Sequence, residues 1–317
     1  MPRSHAHPTR RAILGGVTLA AFALASGTES ANALPAYPAR RWPTEIPLPN
    51  GFSPEGITID SRPYAYFASR ANGAVYGADL RTGEGTIVYA GEAGTSANGL
   101  KIDHDGLLYL TSGSVGGVAR VVDSRTGRLV TTYQLCDPTG HFINDVTLVG
   151  DRAWFTDSYD AVLYGVPRGG TGEVRALPIT GDWVQGAAGS FSANGLVTTP
   201  DGTALIAVNG GQLYRVPLAT GNATRITLMG TDAVDAGDGL VRDGHRLFVV
   251  QNRLNQVSVL DLDAKVSTAT LHHTISDPRF DVPTTAALHL NRLYVVNGRL
   301  TSPQLPDTTF NSVSVTV

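Results

Sequence analysis

One pattern recurs along the chain: a polar residue opens a short apolar run, a turn follows, and a second apolar run ends in small polar residues. The third copy shows it most clearly, because Asn144 and Asp145 open one run and the next run ends at Asp157. The residues that open the copies carry side-chain oxygens and recur about every 43 to 50 positions, with a degenerate sixth copy. They are Glu55, Asn98, Asn144, Asn194, Asp238 and Thr285.

A repeat of this length is typical of four-stranded units arranged in a closed ring. Each repeat contains short β-branched and aromatic runs separated by turn residues, and no segment has a convincing helical period. The sixth repeat has only three runs, and residues 44–48 can supply its outer strand and so join the two ends of the chain. The sequence therefore predicts an all-β, six-bladed β-propeller with four-stranded blades, closed by an N-terminal strand on the last blade.

The first strand of each propeller blade lines the central channel, so the six opening residues are expected to converge on the axis. Two carboxylates there, Glu55 and Asp238, would repel each other unless a cation lies between them. Oxygen-only ligands with two negative charges favour Ca²⁺, with another divalent cation as the alternative, and the expected lack of a converging His and Cys set argues against zinc.

We therefore predict a metal site formed by Glu55, Asn144, Asn194 and Asp238. The alternative is that the Asn and Asp residues only cap the strand starts, as such residues do without any metal. This alternative is favoured for Asn98, which would then border the substrate. It does not explain the Glu at position 55, because turn chemistry does not call for Glu there.

The chain has 317 residues, 42% of them apolar and 16% charged, with a net charge of -3. This composition suits one large domain and argues against a nucleic-acid partner, which would need a basic surface. Cys136 is the only cysteine, so no intramolecular disulfide is expected. It is interpreted as a small buried apolar side chain rather than a nucleophile.

Residues 1–33 have the features of an export signal. Arg10 and Arg11 precede an apolar run, and the small-x-small sequence of Ala31, Asn32 and Ala33 matches a signal-peptidase site. The paired arginines indicate the twin-arginine route. The prediction is a secreted, extracytoplasmic protein in which residues 34–317 form the propeller, a monomer that does not contact the membrane after signal removal.

The sequence resembles the family of senescence marker protein, gluconolactonase and luciferin-regenerating enzyme, six-bladed calcium-dependent propellers with lactonase and phosphotriesterase relatives. The resemblance covers essentially the whole chain after the signal. It rests on four motifs: Ser53-Pro54-Glu55-Gly56, Asn144-Asp145, Ala193-Asn194-Gly195-Leu196 with Pro200-Asp201-Gly202, and Gly237-Asp238-Gly239-Leu240.

The resemblance implies that Glu55, Asn194 and Asp238 hold a catalytic divalent cation, with Asn144 beside it. It also implies that Asp238 is both ligand and base or nucleophile. Sugar-lactone members carry an Arg two residues before the blade-three Asn, where this chain has Phe142. This departure argues against a sugar-acid substrate.

Several further residues are candidates for the chemistry or for binding a small-molecule substrate. Asp145 is a second candidate base, and His141 is a candidate proton acceptor in a loop at the same face. In the loops, Trp183, Val184 and Phe191 are expected to form an apolar wall over the cation, which Phe142 and Phe280 would extend. The alternative is that these aromatic residues only anchor their loops.

The predicted function is a calcium-dependent hydrolase of a lactone or related carboxylic ester. A cation on the axis would polarise the carbonyl, and Asp238 would act as base or nucleophile. One alternative is a non-catalytic propeller with a structural calcium that binds a peptide, glycan or small ligand on its top face. Another is a lyase or isomerase on the same scaffold.

Overall fold

The computed structural model describes residues 42–317, which form six small antiparallel sheets arranged in a ring. The first strands of consecutive blades contact one another around the axis, and the other strands follow outward. The predicted all-β six-bladed propeller is therefore confirmed. The predicted export segment, residues 1–33, lies outside the described residues. In the described part no helix is long and apolar enough to span a bilayer.

The strands run along the chain blade by blade. The closing strand and blade 1 are β1 (Glu45–Leu48), β2 (Pro54–Ile59), β3 (Tyr64–Ser69), β4 (Val75–Asp79) and β5 (Gly85–Tyr89). Blade 2 contains β6 (Leu100–Ile102), β7 (Leu107–Leu110), β8 (Val118–Asp123) and β9 (Arg128–Gln134). Blade 3 contains β10 (Ile143–Val149), β11 (Arg152–Asp157), β12 (Val162–Pro167) and β13 (Arg175–Pro178), followed by the short β14 (Thr180–Gly181).

The remaining blades follow the same order. Blade 4 contains β15 (Ala193–Thr198), β16 (Ala204–Asn209), β17 (Gln212–Pro217) and β18 (Asn222–Arg225), followed by β19 (Thr227–Met229). Blade 5 contains β20 (Gly237–Asp243), β21 (Arg246–Gln251), β22 (Gln256–Leu262) and β23 (Thr268–Ser276), with the 3₁₀ turn Asn252–Leu254 after β21. Blade 6 contains β24 (Pro283–His289), β25 (Arg292–Asn297) and β26 (Phe310–Thr316).

The N-terminal strand closes the ring as predicted. β1 pairs antiparallel with β26, from Glu45 opposite Val313 to Leu48 opposite Phe310, and becomes the outer strand of blade 6. Ile46 of β1 is completely buried in the apolar layer between blades 6 and 1. The two ends of the propeller are therefore joined by both a hydrogen-bond ladder and side-chain packing.

Six apolar clusters hold the propeller together, and each lies between two neighbouring blades. The second strand of a blade is covered on both faces, and all six residues of β16 are buried. The outer strand β9 is mostly exposed. This difference explains why second strands appear in the sequence as continuous apolar runs.

Two short strands add to the expected four strands of a blade. After the outer strand of blade 3 the chain adds β14 parallel to β18 of blade 4, and β19 pairs in the same way with β23 of blade 5. They are two and three residues long and lack buried residues, so no hydrophobic pattern marks them.

Candidate functional site

A β-bulge lies near the start of the inner strand in five of the six blades. In blade 1 the register shifts between Pro54 and Ile57. Equivalent shifts occur in β10, β15, β20 and β24. A bulge leaves extra residues outside the regular ladder and re-aims their side chains. The residues just after the first paired position are Glu55, Asn144, Asn194, Asp238 and Thr284.

This register corrects the sixth position of the ring. The sequence pattern assigned it to Thr285, but Thr284 is the residue that matches the other bulges and lines the same cavity as the other ring residues. Thr284 Oγ also donates a hydrogen bond to the backbone oxygen of Glu55, at 2.7 Å. Two adjacent threonines are equivalent in a sequence pattern, and only the bulge register separates them.

Glycine follows the ring residue in four blades, and the packing requires it. A Cβ atom on Gly195 would collide with the backbone oxygen of Asp238 in the next blade. A Cβ atom on Gly56 would likewise collide with the backbone oxygen of Asn98. Inner strands therefore approach at backbone distance, which brings the ring side chains within reach of one another.

The ring side chains open into one cavity of about 600 Å³ on the axis, here called the axial cavity. All four predicted metal ligands line it, and so does Asn98. The other lining side chains that matter below are Arg70, Phe142, Phe191, Asn252 and Thr284. The structure thus brings the predicted set together in one place.

Hydrogen bonds orient the amide of Asn144. Its Nδ2 donates to Oγ of Ser158 at 2.8 Å, and this hydroxyl donates to the backbone oxygen of Ala193 at 2.6 Å. Because the nitrogen is fixed by Ser158, the amide oxygen of Asn144 is left to accept or coordinate. Ser158 follows β11, and sequence reasoning did not single it out.

The carboxylate of Asp238 is also held by amides. Asn252 donates from Nδ2 to Oδ2 of Asp238 at 2.8 Å, while the Asn252 oxygen accepts the backbone N–H of Arg253 at 2.6 Å. The amide of Asn194 also favours the charged form of Asp238 and so lowers its pKa. An amide that donates to an anion keeps its own oxygen as an acceptor, and for Asn252 a backbone N–H already occupies that oxygen.

The two ring carboxylates are in an environment that disfavours their charge. Burial raises the pKa of Asp238 to about 7, although the amides of Asn252 and Asn194 favour its charged form. Burial also raises the pKa of Glu55 well above its ordinary value, and the negative charge of Asp238 raises it further. Arg70 opposes both shifts without forming an ion pair with either group.

This donor set fits a hard divalent cation. It consists of two carboxylates and two amides, and oxygen-rich sets of mixed charge are those that calcium favours. A divalent charge would also remove the conflict between burial and ionisation at Glu55 and Asp238. The chemistry of these side chains therefore agrees with the predicted ligand set.

Asp145 lies beside the axis but is not among the residues that line the axial cavity. Its Oδ1 accepts the backbone N–H of Val146 at 2.8 Å, and its Oδ2 accepts that of Leu196 at 3.2 Å. Burial raises the pKa of Asp145, and the positive charge of Lys101 opposes that shift. The carboxylate links blade 3 to blade 4, in the position that glycine fills after most ring residues.

The predicted aromatic wall is present only in part. Phe142 and Phe191 line the axial cavity with ring centroids 4.8 Å apart, and Tyr159 contacts both rings. Trp183 packs on Tyr214 at a centroid distance of 4.9 Å, outside the cavity lining.

The other two residues of the predicted wall are not in the cavity lining either. Phe280 is buried between blades 5 and 6, where it anchors its loop. Val184 is 68% exposed. Phe142 and Phe191 are therefore the aromatic side chains that a substrate in the axial cavity would contact.

His141 belongs to a cluster away from the axial cavity. Its Nδ1 shares a 2.6 Å hydrogen bond with Oδ2 of the fully buried Asp157, whose other oxygen accepts the backbone N–H of Phe142. The pair therefore fixes the loop that carries Phe142.

The same cluster corrects the expectation that no His and Cys set converges. Ligand atoms of Cys136, His141 and Asp157 lie within 4.8 Å of one another. Burial raises the pKa of the Cys136 thiol to about 11, so the thiol is protonated at neutral pH. The three residues are separated in sequence, so only the folded chain reveals the grouping.

Sequence reasoning missed Arg70, Ser158 and Asn252, which support or line the axial cavity. Each follows the second strand of its blade. The signal was present in the pattern itself, since the second apolar run of a repeat ends in polar residues. Those residues come back to the axis beside the ring residues of the first run.

No family model matches the sequence, and no curated protein matches it either. Solved structures do match. The allergen Mala s 1 from Malassezia sympodialis superposes with a TM-score of 0.69 at 14% identity, covering 86% of this chain and 96% of that one. Regucalcin from Agrobacterium tumefaciens, a calcium-binding protein, gives a TM-score of 0.60 at 18% identity, covering 87% and 95%.

A gluconolactonase from Xanthomonas campestris gives a TM-score of 0.59 at 15% identity, covering 84% of this chain and 89% of that one. The predicted resemblance to gluconolactonase-type propellers is therefore confirmed for the fold. At these identities the likeness extends to the fold alone.

Proposed function

We propose that the protein is a calcium-dependent hydrolase of a lactone or related ester, with its reaction in the axial cavity. The observation that carries this proposal is the juxtaposition of Glu55 and Asp238, two buried carboxylates, beside the oriented amide of Asn144 and the amide of Asn194. These four residues would hold the cation. When bound there, a divalent cation supplies a Lewis acid that polarises an ester carbonyl and stabilises the negative charge of the transition state.

Asp238 is the residue we propose as base or nucleophile. It lines the axial cavity, and Asn252 holds one of its oxygens in place. The competing candidate, Asp145, is less suited because both of its carboxylate oxygens accept backbone N–H groups. Asp238 would take a proton from an attacking water or attack the carbonyl carbon itself.

Phe142 and Phe191 would bind the apolar part of a small-molecule substrate and exclude water from the reacting carbonyl.

We further propose that the protein works outside the cytoplasm, as a monomer exported through residues 1–33. Sequencing the N-terminus of protein recovered from the extracytoplasmic fraction tests the export: a start near residue 34 supports it, and an intact N-terminus contradicts it.

Calorimetric titration of calcium into chelator-treated protein, followed by a panel of lactones and aryl esters, tests the catalytic proposal. We expect stoichiometric binding, turnover that is lost on chelation, and loss of both in Asp238→Asn. Asp201→Asn is the matched control, since Asp201 lies in an exposed turn outside the cavity. Binding without turnover would favour the non-catalytic propeller instead, and absence of calcium binding would overturn the proposal.

A further inference from the structure

Arg70 is a half-buried cation that lines the axial cavity, and it forms no ion pair with a carboxylate of residues 42–317. It follows β3, and its backbone N–H donates to the backbone oxygen of Ser53 at 3.0 Å. Among residues 42–317 its side chain forms one hydrogen bond, from Nη2 to Oε1 of Gln304 at 3.2 Å, and its buried Nε has no partner. Exposed arginines of the same blade, Arg62 and Arg81, each pair with an aspartate. A guanidinium removed from water without such a partner is costly, so this placement needs an explanation.

Glu55 and Asp238 do not fully explain it. Their charges favour the protonated form of Arg70, but burial outweighs them and lowers its pKa. Neither carboxylate forms an ion pair with the guanidinium in the described part of the chain. If Glu55 and Asp238 hold a divalent cation, their two charges are balanced by it. The positive charge of Arg70 then remains uncompensated beside the cation.

A second cavity begins at the same side chain. It measures about 550 Å³, and its lining includes Arg70, Asn50, Ser53, Gln304 and Leu305; we call it the Arg70 cavity. Arg70 lines both this cavity and the axial cavity. A ligand whose reacting group lies at the axis can therefore extend past Arg70 into a second, partly polar space.

Gln304 fixes the guanidinium at this junction. Its Nε2 donates to the backbone oxygens of Arg299 at 2.9 Å and Ser302 at 3.1 Å, which leaves Oε1 to accept from Arg70. With Nε buried and Nη2 bonded to Gln304, the N–H groups of Nη1 remain for a ligand, and guanidinium N–H groups bind carboxylate and phosphate oxygens strongly.

We propose that Arg70 binds an anionic group of the substrate, a carboxylate or phosphate, so that the hydrolase acts on an acidic lactone or ester whose anionic end reaches toward the Arg70 cavity. This assignment of substrate class rests on the proposed function. Arg70 contributes specificity rather than the chemical step, because its charge recognises the part of the substrate that does not react. Phe142 and Phe191 contact the apolar part of the same ligand.

Anion binding to the calcium-loaded protein tests the proposal without any turnover. The probes are glutarate, inorganic phosphate and the neutral glutaramide, titrated by calorimetry into wild type, Arg70→Gln, Arg70→Lys and the control Arg62→Gln. We expect glutarate or phosphate to bind wild type, glutaramide not to bind, and Arg70→Gln to weaken anion binding at least about tenfold, since hydrogen bonds to charged groups are the strong ones. Whether glutarate or phosphate binds more tightly identifies the group.

The variants separate this site from simple binding to the cation. Arg70→Lys keeps the charge and should retain part of the affinity, and Arg62→Gln should behave as wild type. Anion binding should also weaken in chelator, because free Glu55 and Asp238 then offset Arg70. Equal anion affinity in wild type and a folded Arg70→Gln, or no anion binding to wild type, would overturn the proposal.

A kinetic comparison distinguishes failure of this inference from failure of the proposed function. With mono-4-nitrophenyl glutarate and neutral 4-nitrophenyl butyrate as substrates, Arg70→Gln should raise KM for the acidic ester at least about tenfold and leave the neutral ester nearly unchanged. An Arg70-dependent anion site without hydrolysis of any ester would contradict the proposed hydrolase and support the anion site. Hydrolysis with the same ratio of KM values for the two esters in wild type and Arg70→Gln would support the hydrolase and contradict the anion site.

Discussion

Replacing Asp238 with Asn should stabilise the metal-free protein and remove most of its response to calcium. Burial raises the pKa of Asp238 from an ordinary 3.8 to about 7, so at about pH 8 the folded state must hold a charge that its surroundings disfavour. A rise in the pKa from 3.8 to about 7 corresponds to roughly 4 kcal/mol. Asparagine carries no charge and avoids this cost, but its amide replaces a carboxylate oxygen to which Asn252 donates, so part of the gain is lost. We therefore expect a gain of about 1 to 4 kcal/mol in the free energy of unfolding in chelator.

The sign of the pH dependence follows from the same shift. Because the pKa of Asp238 is higher in the folded than in the unfolded state, its contribution to stability is complete below about pH 4 and is lost as the pH rises through about 7. Glu55, whose pKa is also raised, acts in the same direction. The metal-free wild type should thus lose stability between about pH 5 and pH 8, and Asp238→Asn should lose less.

Asp201→Asn is again the control. Hydrogen bonds from Thr199 and Thr203 lower the pKa of Asp201 to about 2, so its contribution is present above about pH 4 and is lost only as the pH falls toward 2. The Asp201→Asn substitution should therefore leave the pH dependence of the free energy of unfolding unchanged between about pH 5 and pH 8. Its response to calcium should match that of wild type.

Urea unfolding measures the free energy of unfolding of each protein at about pH 5 and pH 8, once with chelator and once with calcium. Calcium at a hundredfold excess over its Kd should stabilise wild type by about 2.7 kcal/mol, and Asp238→Asn should lose most of that. If Asp238→Asn is less stable than wild type in chelator at about pH 8, the folded protein does not disfavour the ionised carboxylate of Asp238. If it keeps the calcium response, Asp238 is not a ligand.

Three other substitutions separate packing, closure and substrate contact. Gly195→Ala places a Cβ against the backbone oxygen of Asp238, so it should lower the free energy of unfolding by about 1 to 3 kcal/mol. It should also weaken calcium binding, measured by calorimetry. Unchanged calcium affinity would mean that the close approach of the strands does not shape the site. Ile46→Ala leaves a cavity at a fully buried position of the closing strand, so it should lower the free energy of unfolding in urea by about 2 to 5 kcal/mol and leave calcium affinity unchanged. An unchanged unfolding curve would show that β1 does not stabilise the closed ring. Phe191→Ala removes a ring that is 59% exposed, so stability should change by less than about 0.5 kcal/mol while KM for apolar esters rises, and an unaltered KM would place the substrate elsewhere.

The sequence was sufficient for the propeller because each repeat carries its own evidence. Six apolar interfaces between blades require second strands that are buried on both faces, and such strands appear as short continuous runs at a constant period. Ring closure was also predictable, since the last repeat lacked one strand and residues 44–48 had no hairpin partner. The sixth ring position was not, because the bulge that selects Thr284 over Thr285 changes backbone register without changing residue type.

Side-chain placement in loops was the part that the sequence could not settle. Trp183 and Phe191 lie in one segment with similar apolar character, yet Trp183 packs on Tyr214 and Phe191 faces the axial cavity. Arg70 was missed for a related reason. It follows a buried strand as an ordinary surface arginine would, and only the folded ring shows that it lines the axial cavity.

The repeated bulge and glycine separate the chemistry of the ring from its packing. The bulge supplies an inward position in five blades, and glycine after the ring residue lets neighbouring strands meet. Neither device depends on whether the inward residue is Glu, Asn, Asp or Thr, because that side chain extends into the axial cavity rather than into an interface between blades. Substitutions at the ring should therefore change binding while the blades stay assembled, whereas substitutions at the adjacent glycines should disturb both. In this protein the separation allows two carboxylates and Arg70 to be buried together at the axis, at a cost in stability that the six apolar interfaces offset.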